Sequence, residues 1–218
     1  AWLGTGTGWT LAYLALAVLL LVVAHLALQR LTSGPWGRVL RAPHRVARPR
    51  FPDELGELVS GFSRGEPGLA VGLRRSYGDS NLNPDGRVIA MSGLDRLISF
   101  NRQTGLVRAE AGLSLSKVLQ ILVPAGWFLP TTPGTRFATL GGAVANDVHG
   151  KNHHTAGNLG NSVTRLRLRR TDGSTHEIGP SDPLFTATVG GLGLTGVIDY
   201  AFRNWRFTID FDAVAVVT

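Results

Sequence analysis

Apolar positions follow two different patterns along this chain. From Trp9 to Leu28 they are nearly continuous, with His25 the only strongly polar member. Twenty residues at about 1.5 Å of helical rise cover roughly 30 Å, the hydrocarbon depth of a bilayer. The run predicts a transmembrane helix. A secretory signal peptide fits it less well, because no Lys or Arg precedes it and no small-residue cleavage site follows. Beyond it the apolar residues become sparse and periodic. Leu55, Leu58, Val59 and Phe62 recur at helical spacing behind an acidic first turn. Residues 112–126 read as a second helix with a serine start, a glycine stop and Pro124 at or just past its last turn. Short strands are predicted at 69–73, 88–91, 97–100 and 106–109. Val163, Leu166 and Leu168 alternate with polar residues as far as Asp172-Gly173, and the chain returns through 175–178, which is a hairpin pattern. A short helix or turn at 184–188 and a strand at 195–202 complete the reading. Short strands with few helices predict an α+β domain.

Charge divides the chain further. Arg30, Arg38, Arg41, Arg45, Arg48 and Arg50 all precede the first acidic residue, Asp53, and stand among Pro35, Pro43, Pro49 and Pro52. Residues 31–52 therefore read as a basic, extended linker between a membrane segment at 1–30 and a folded domain at 53–204. Residues 205–218 read as the start of a further, substrate-covering domain. The basic excess beside the apolar run places that domain on the cytoplasmic side and suits anionic headgroups of membrane lipid. It also accounts for much of the net charge of +7, so no nucleic-acid partner is expected. With no Cys in the chain, disulfides, thiolate metal sites and thiol catalysis are excluded.

The candidate chemistry lies in glycine-rich stretches. In Gly72-Leu-Arg-Arg-Ser-Tyr-Gly-Asp-Ser-Asn81, backbone N–H groups around Gly72 and Gly78, with the Ser76 hydroxyl and the Asn81 side chain, read as a nest for a pyrophosphate; a tight turn with exposed arginines is the plainer reading. Neither the Rossmann nor the P-loop spacing occurs. Residues 133–154 combine Gly134, Gly141, Gly142 and Gly150 with Thr139, Asn146, Asp147, His149 and Lys151, and glycine lets backbone approach a ligand closely. His149 and His153 are spaced like zinc ligands on a helix, but Gly150 and Asn152 disfavour a helix and only Asp147 is at hand to add a carboxylate, so no metal is expected. Gly190-Gly-Leu-Gly-Leu-Thr-Gly196 reads as close backbone packing beside a planar ligand, or as a bulge and turn. Two such cradles, well separated in the chain, suggest one large and partly anionic ligand.

In this order the pieces resemble the FAD-binding domain of the vanillyl-alcohol oxidase and p-cresol methylhydroxylase superfamily, over roughly residues 45–204. Arg74-Arg-Ser-Tyr-Gly-Asp-Ser-Asn81 resembles its pyrophosphate loop; 129–135, 139–143 and 146–154 resemble its second flavin-binding stretch. The run His-Gly-Lys-Asn-His-His, with Gly157, Gly160 and Asn161 after it, is similar to the branch that oxidises decaprenylphosphoryl-β-D-ribose at C2′, an arabinan (cell-wall) precursor. Aldonolactone oxidases share the flavin loops. The resemblance implies a two-subdomain α+β fold and FAD as cofactor. The diphosphate would be wrapped by Ala70, Val71, Gly72, Leu73, Arg74, Arg75, Ser76, Tyr77, Gly78, Asp79 and Ser80. Gly134, Thr139, Leu140, Gly141, Gly142, Asn146, Asp147, Val148 and His149 would line the ribityl chain and ring system, and Ile198 would meet the adenine side. Relatives with covalent flavin carry a His in the first loop; none stands there in this chain, which implies noncovalent FAD. His149 and Lys151 are the implied catalytic pair. The implied reaction moves a hydride from a CH–OH group of a polyprenyl-phosphate-linked sugar to the flavin, with a reductase partner completing an epimerisation. A sugar-lactone or alditol oxidase, and a non-catalytic membrane partner of flavin fold, are the alternatives.

Overall fold

The computed structural model describes residues 6–34, 37, 40–62 and 65–204. The expected start of a substrate domain at 205–218 lies outside them. Helix α1 (Gly6–Gln29) runs into β1 (Arg30–Ser33), which pairs antiparallel with β2 (Ala42–Ala47). Helix α2 (Glu54–Ser60) leads to β3 (Gly68–Val71) and β4 (Arg87–Ala90). These strands form a sheet in the order β1-β2-β4-β3, with β4 parallel to both of its neighbours. Parallel neighbours need a long connection. Here residues 72–86 supply it, so the first glycine-rich loop is the crossover from β3 to β4.

A second, antiparallel sheet has the order β5-β6-β9-β7-β8. Its strands are β5 (Leu97–Phe100), β6 (Leu106–Glu110), β7 (Val163–Arg169), β8 (Thr175–Ile178) and β9 (Val197–Asn204). Between β6 and β7 come α3 (Leu115–Leu122), α4 (Leu140–Ala145) and α5 (His153–Ala156); α6 (Pro183–Thr188) precedes β9. The expected α+β class holds. Val107, Ala109, Leu166, Leu168 and Ala201 face inward from this sheet and meet Leu115, Val118 and Leu122 of α3 and Leu140, Ala143 and Val144 of α4 in one buried cluster.

Local signals explain most boundaries. Ser114 caps α3 by accepting a hydrogen bond from the Lys117 N–H (3.2 Å), and Gly126, at φ 79°, ends the turn that follows it. The hairpin between β7 and β8 turns at Gly173, at φ 82°. Several elements depart from expectation. The stretch read as linker holds most of β1 and all of β2, the latter with Ala42 and His44 buried and Arg45 exposed. Pro43 disguised it, but the pairing of β2 with β4 begins only at Arg45, so the proline sits where β2 has one neighbour. Helix α4 lies in what reads as a pure loop. Its glycines lower helix propensity, yet a Cβ on Gly141 would sit 2.7 Å from the Ala111 Cβ, so the small residue is what lets α4 settle on β6.

Among the described residues no helix is long and apolar enough to cross a membrane. The side chains of α1 are described over residues 11–23, and all are exposed, including Leu11, Tyr13, Leu14, Leu16 and Val18–Val23.

Candidate functional site

A cavity of about 630 Å³ opens where the two sheets' loops converge, within the range usual for small-molecule sites. Ala70, Val71 and Gly72 reach it at the carboxyl end of β3, and Met91 just after β4. Strand β4 enters between β2 and β3 there, and such a reversal of strand order beyond the carboxyl ends of parallel strands is where α/β sheets form ligand crevices.

The crossover loop supplies one wall through residues 72–78, Ser80 and Asn81. Among the described residues, none accepts a hydrogen bond from the N–H groups of 76–81, which leaves them available to an anion. Arg74 adopts φ 56°, a strained region for a residue with a side chain, and strain of this kind collects at ligand sites. Burial, and then the charge of Arg48, lower the Arg74 pKa from its ordinary value, although a guanidinium stays protonated at neutral pH. The Arg75 Nε donates to the Phe137 carbonyl (3.2 Å), tying this loop to the second one.

The opposite wall is built on α4. Thr139 caps that helix, its Oγ1 accepting from the Gly142 N–H (3.2 Å), while the Leu140 and Gly141 N–H groups donate to the Leu113 and Ala111 carbonyls (2.8 and 2.7 Å). Gly72 abuts this cap: a Cβ there would stand 2.2 Å from Thr139 Oγ1. The cradles expected from sequence therefore touch at Gly72 and Thr139. Gly134, Gly141, Gly142, Asn146, Val148, His149 and Ile198 also face the cavity.

Four expected residues do not line it. Leu140 is buried in the core on the inner face of α4. Asp79 is exposed on the crossover loop. Asp147, at φ 40°, accepts from the Gly160 N–H (2.8 Å) and Asn158 Nδ2 (3.1 Å), so it anchors the segment after α5. Lys151 is exposed, two residues beyond His149; Gly150 between them is buried and has no room for a Cβ, with the Thr132 carbonyl oxygen 2.8 Å from that position. His149 contacts the His153 ring edge-on at 5.5 Å. Among the described residues no group of His, Cys, Asp or Glu side chains could hold a metal ion.

Further lining residues come from outside the two cradles, and of these the 190–196 run reads in the sequence as packing beside a planar ligand, whereas Met91 and Ala111 are not anticipated. Leu192, Gly193 and Gly196 come from the glycine run before β9, and Leu192 at φ 54° hangs on α4 through its N–H and the Ala145 carbonyl (2.8 Å). That run carried a visible signal. Met91 and Ala111 carried none, since each is an ordinary strand-end residue.

The wall suits a dinucleotide. Its ionisable members are Arg74, Arg75, Tyr77 and His149, with no carboxylate, so it favours an anion. At Gly78, Gly134 and Gly193 a Cβ would meet no protein atom within 4 Å, which leaves bare backbone facing open space. The buried Asn81 carboxamide has no partner among the described residues.

A family model described as an FAD binding domain matches residues 43–179. The chain is 41% identical over 168 residues to decaprenylphosphoryl-beta-D-ribose oxidase of Mycolicibacterium smegmatis, covering 75% of this chain and 36% of that protein. It is 31% identical over 163 residues to L-gulono-1,4-lactone dehydrogenase of Mycobacterium tuberculosis, covering 74% and 37%. A D-2-hydroxyglutarate dehydrogenase of Escherichia coli matches at 30% over 112 residues, 50% of this chain and 11% of that one. The chain thus spans about a third or less of the length of these relatives. The matched residues include both cradles and the wall between them, and the chain belongs to the FAD binding domain family, with FAD as its cofactor.

Proposed function

We propose that this chain is the cofactor-binding part of a membrane-held oxidoreductase that removes a hydride from a CH–OH carbon, C2′ of a decaprenylphosphoryl ribose. The observation that carries the reading is a wall holding two guanidiniums, unpaired backbone N–H groups and no carboxylate, in a chain 41% identical to a decaprenylphosphoryl-ribose oxidase. When bound, FAD supplies the hydride acceptor. Loop 72–81 holds its pyrophosphate, with Arg74 and Arg75 balancing the charge, and the absence of His from this loop keeps attachment noncovalent. Gly134, Gly141 and Gly142 would let backbone close against the ribityl chain, and Ile198 would lie on the adenine side. His149, which lines the cavity, would stand at the ring edge, where a hydrogen-bond donor favours negative charge. Lys151, exposed beside it, meets the phosphate of the lipid-linked sugar.

The exposed apolar side chains of α1 sit in lipid, and the arginines after it lie against anionic headgroups on the cytoplasmic side, where a reductase partner takes the keto product. Carbonate washing of membranes leaves this protein in the pellet and releases a form lacking residues 1–29; release of the intact protein contradicts the anchor. The substrate is tested by anaerobic flavin bleaching with decaprenylphosphoryl ribose and with an aldonolactone, using the protein joined to any segment that follows it. Bleaching by the lipid-linked sugar alone is expected. Bleaching by the lactone alone establishes the second reading, favoured by the 31% identity to a gulonolactone dehydrogenase.

A further inference from the structure

Leu192 sits at φ 54°, in the left-handed region, where a residue with a side chain is strained. Gly190 and Gly193, at φ 73° and 82°, occupy the same region without that cost, yet the position between them carries a leucine. Packing within the protein does not offset the strain. Leu192 takes no part in the buried cluster and is 46% exposed. It does line the cavity, and its N–H, donated to the Ala145 carbonyl (2.8 Å), ties the turn to the end of α4. A strained, exposed apolar residue on a cavity wall is compensated by what fills the cavity.

The surroundings narrow the partner. The lining residues joined to Leu192 by that hydrogen bond or by a few residues of chain are Ala145, Gly193, Gly196 and Ile198, none with a polar side chain. A pyrophosphate, or the hydroxyls of a ribityl chain, would give up water there with no polar side chain to replace it. The face of a planar ring meets no such penalty. We propose that Leu192 is a cofactor-contact residue whose side chain forms an aliphatic platform against one planar ring of bound FAD, adenine or isoalloxazine. This rests on the reading of the cavity as the FAD site, and it gives the turn before β9 a contact of its own beside the two cradles.

The test measures FAD affinity by fluorescence quenching, and cofactor-free stability by urea unfolding, for the wild type and four variants. Leu192→Gly and Leu192→Asn place residues that tolerate the left-handed region, so their cofactor-free midpoints stay at the wild-type value or rise. Their Kd for FAD rises about five-fold or more, because the apolar contact is lost. Leu192→Met keeps apolar surface and binds FAD within about two-fold of wild type. Leu194, 88% exposed two residues on, does not line the cavity, and Leu194→Ala leaves the affinity unchanged. Parallel titrations of Leu192→Asn with ADP and FMN locate the ring: loss of ADP affinity assigns adenine, and loss of FMN affinity assigns isoalloxazine. Unchanged FAD affinity in Leu192→Gly and Leu192→Asn overturns the proposal, as does an equal loss in Leu192→Met or Leu194→Ala, or a loss that merely tracks cofactor-free stability. A wild type that takes up no FAD instead removes the cofactor reading itself, so the two failures are distinguishable.

Discussion

Replacing Gly72 with Ala should separate the two cradles. The new Cβ would lie 2.2 Å from Thr139 Oγ1, 3.1 Å from its Cγ2 and 3.2 Å from its Cβ. Gly72 is not among the glycines with positive φ, so the substitution adds no backbone strain and its effect is steric. Thr139 cannot yield cheaply: it is β-branched, 2% exposed and committed to capping α4. Overpacking of this kind costs about 1–3 kcal/mol, and a cap broken to relieve it a further 0.5–2 kcal/mol or so. Urea unfolding of the cofactor-free protein, followed by tryptophan fluorescence, measures the loss. A double-mutant cycle isolates the contact, because Thr139→Ala removes both Oγ1 and Cγ2. The double variant should be more stable than the sum of the single losses predicts. Strict additivity, or a Gly72→Ala protein with an unchanged midpoint, would refute the close approach of the loops.

Asp147→Ala removes the acceptor for Gly160 N–H and Asn158 Nδ2 and places a methyl side chain at φ 40°. A loss of about 1–3 kcal/mol is expected, with faster amide hydrogen exchange confined to residues 157–161; unchanged exchange there would remove the anchoring role. Glu177 accepts from the Tyr200 hydroxyl, and that bond holds its carboxyl below the usual glutamate range, while burial and then Glu177 raise the tyrosine. Glu177 therefore adds stability above its unfolded pKa that is lost as pH falls through its folded value. Tyr200 adds stability below its unfolded pKa that is lost as pH rises through its folded value. Tyr200→Phe should weaken both dependences in the pH profile of the unfolding midpoint, and an identical profile would rule the pair out as a contributor.

The sequence displayed those features that rest on local chemistry. The serine start of α3, the glycine turn between β7 and β8 and the inward alternation of Leu166 and Leu168 are all decided within a few residues. Strand β2 was hidden because its partner β4 lies some forty residues away and Pro43 argues locally against a strand. Helix α4 was hidden because its glycines are chosen for contact with Ala111, which no local preference records. In the site, glycine runs revealed both cradles, but which way a side chain faces depends on packing. Leu140 turns to the core and Asp147 to the Gly160 backbone.

The most direct test is the absorbance spectrum of the purified protein after incubation with FAD and desalting, followed by acid precipitation. Flavin bands retained by the native protein, and released wholly into the acid supernatant, are the expected result. A protein that stays colourless at micromolar FAD would contradict the joint cradle, and colour held in the acid pellet would contradict noncovalent attachment.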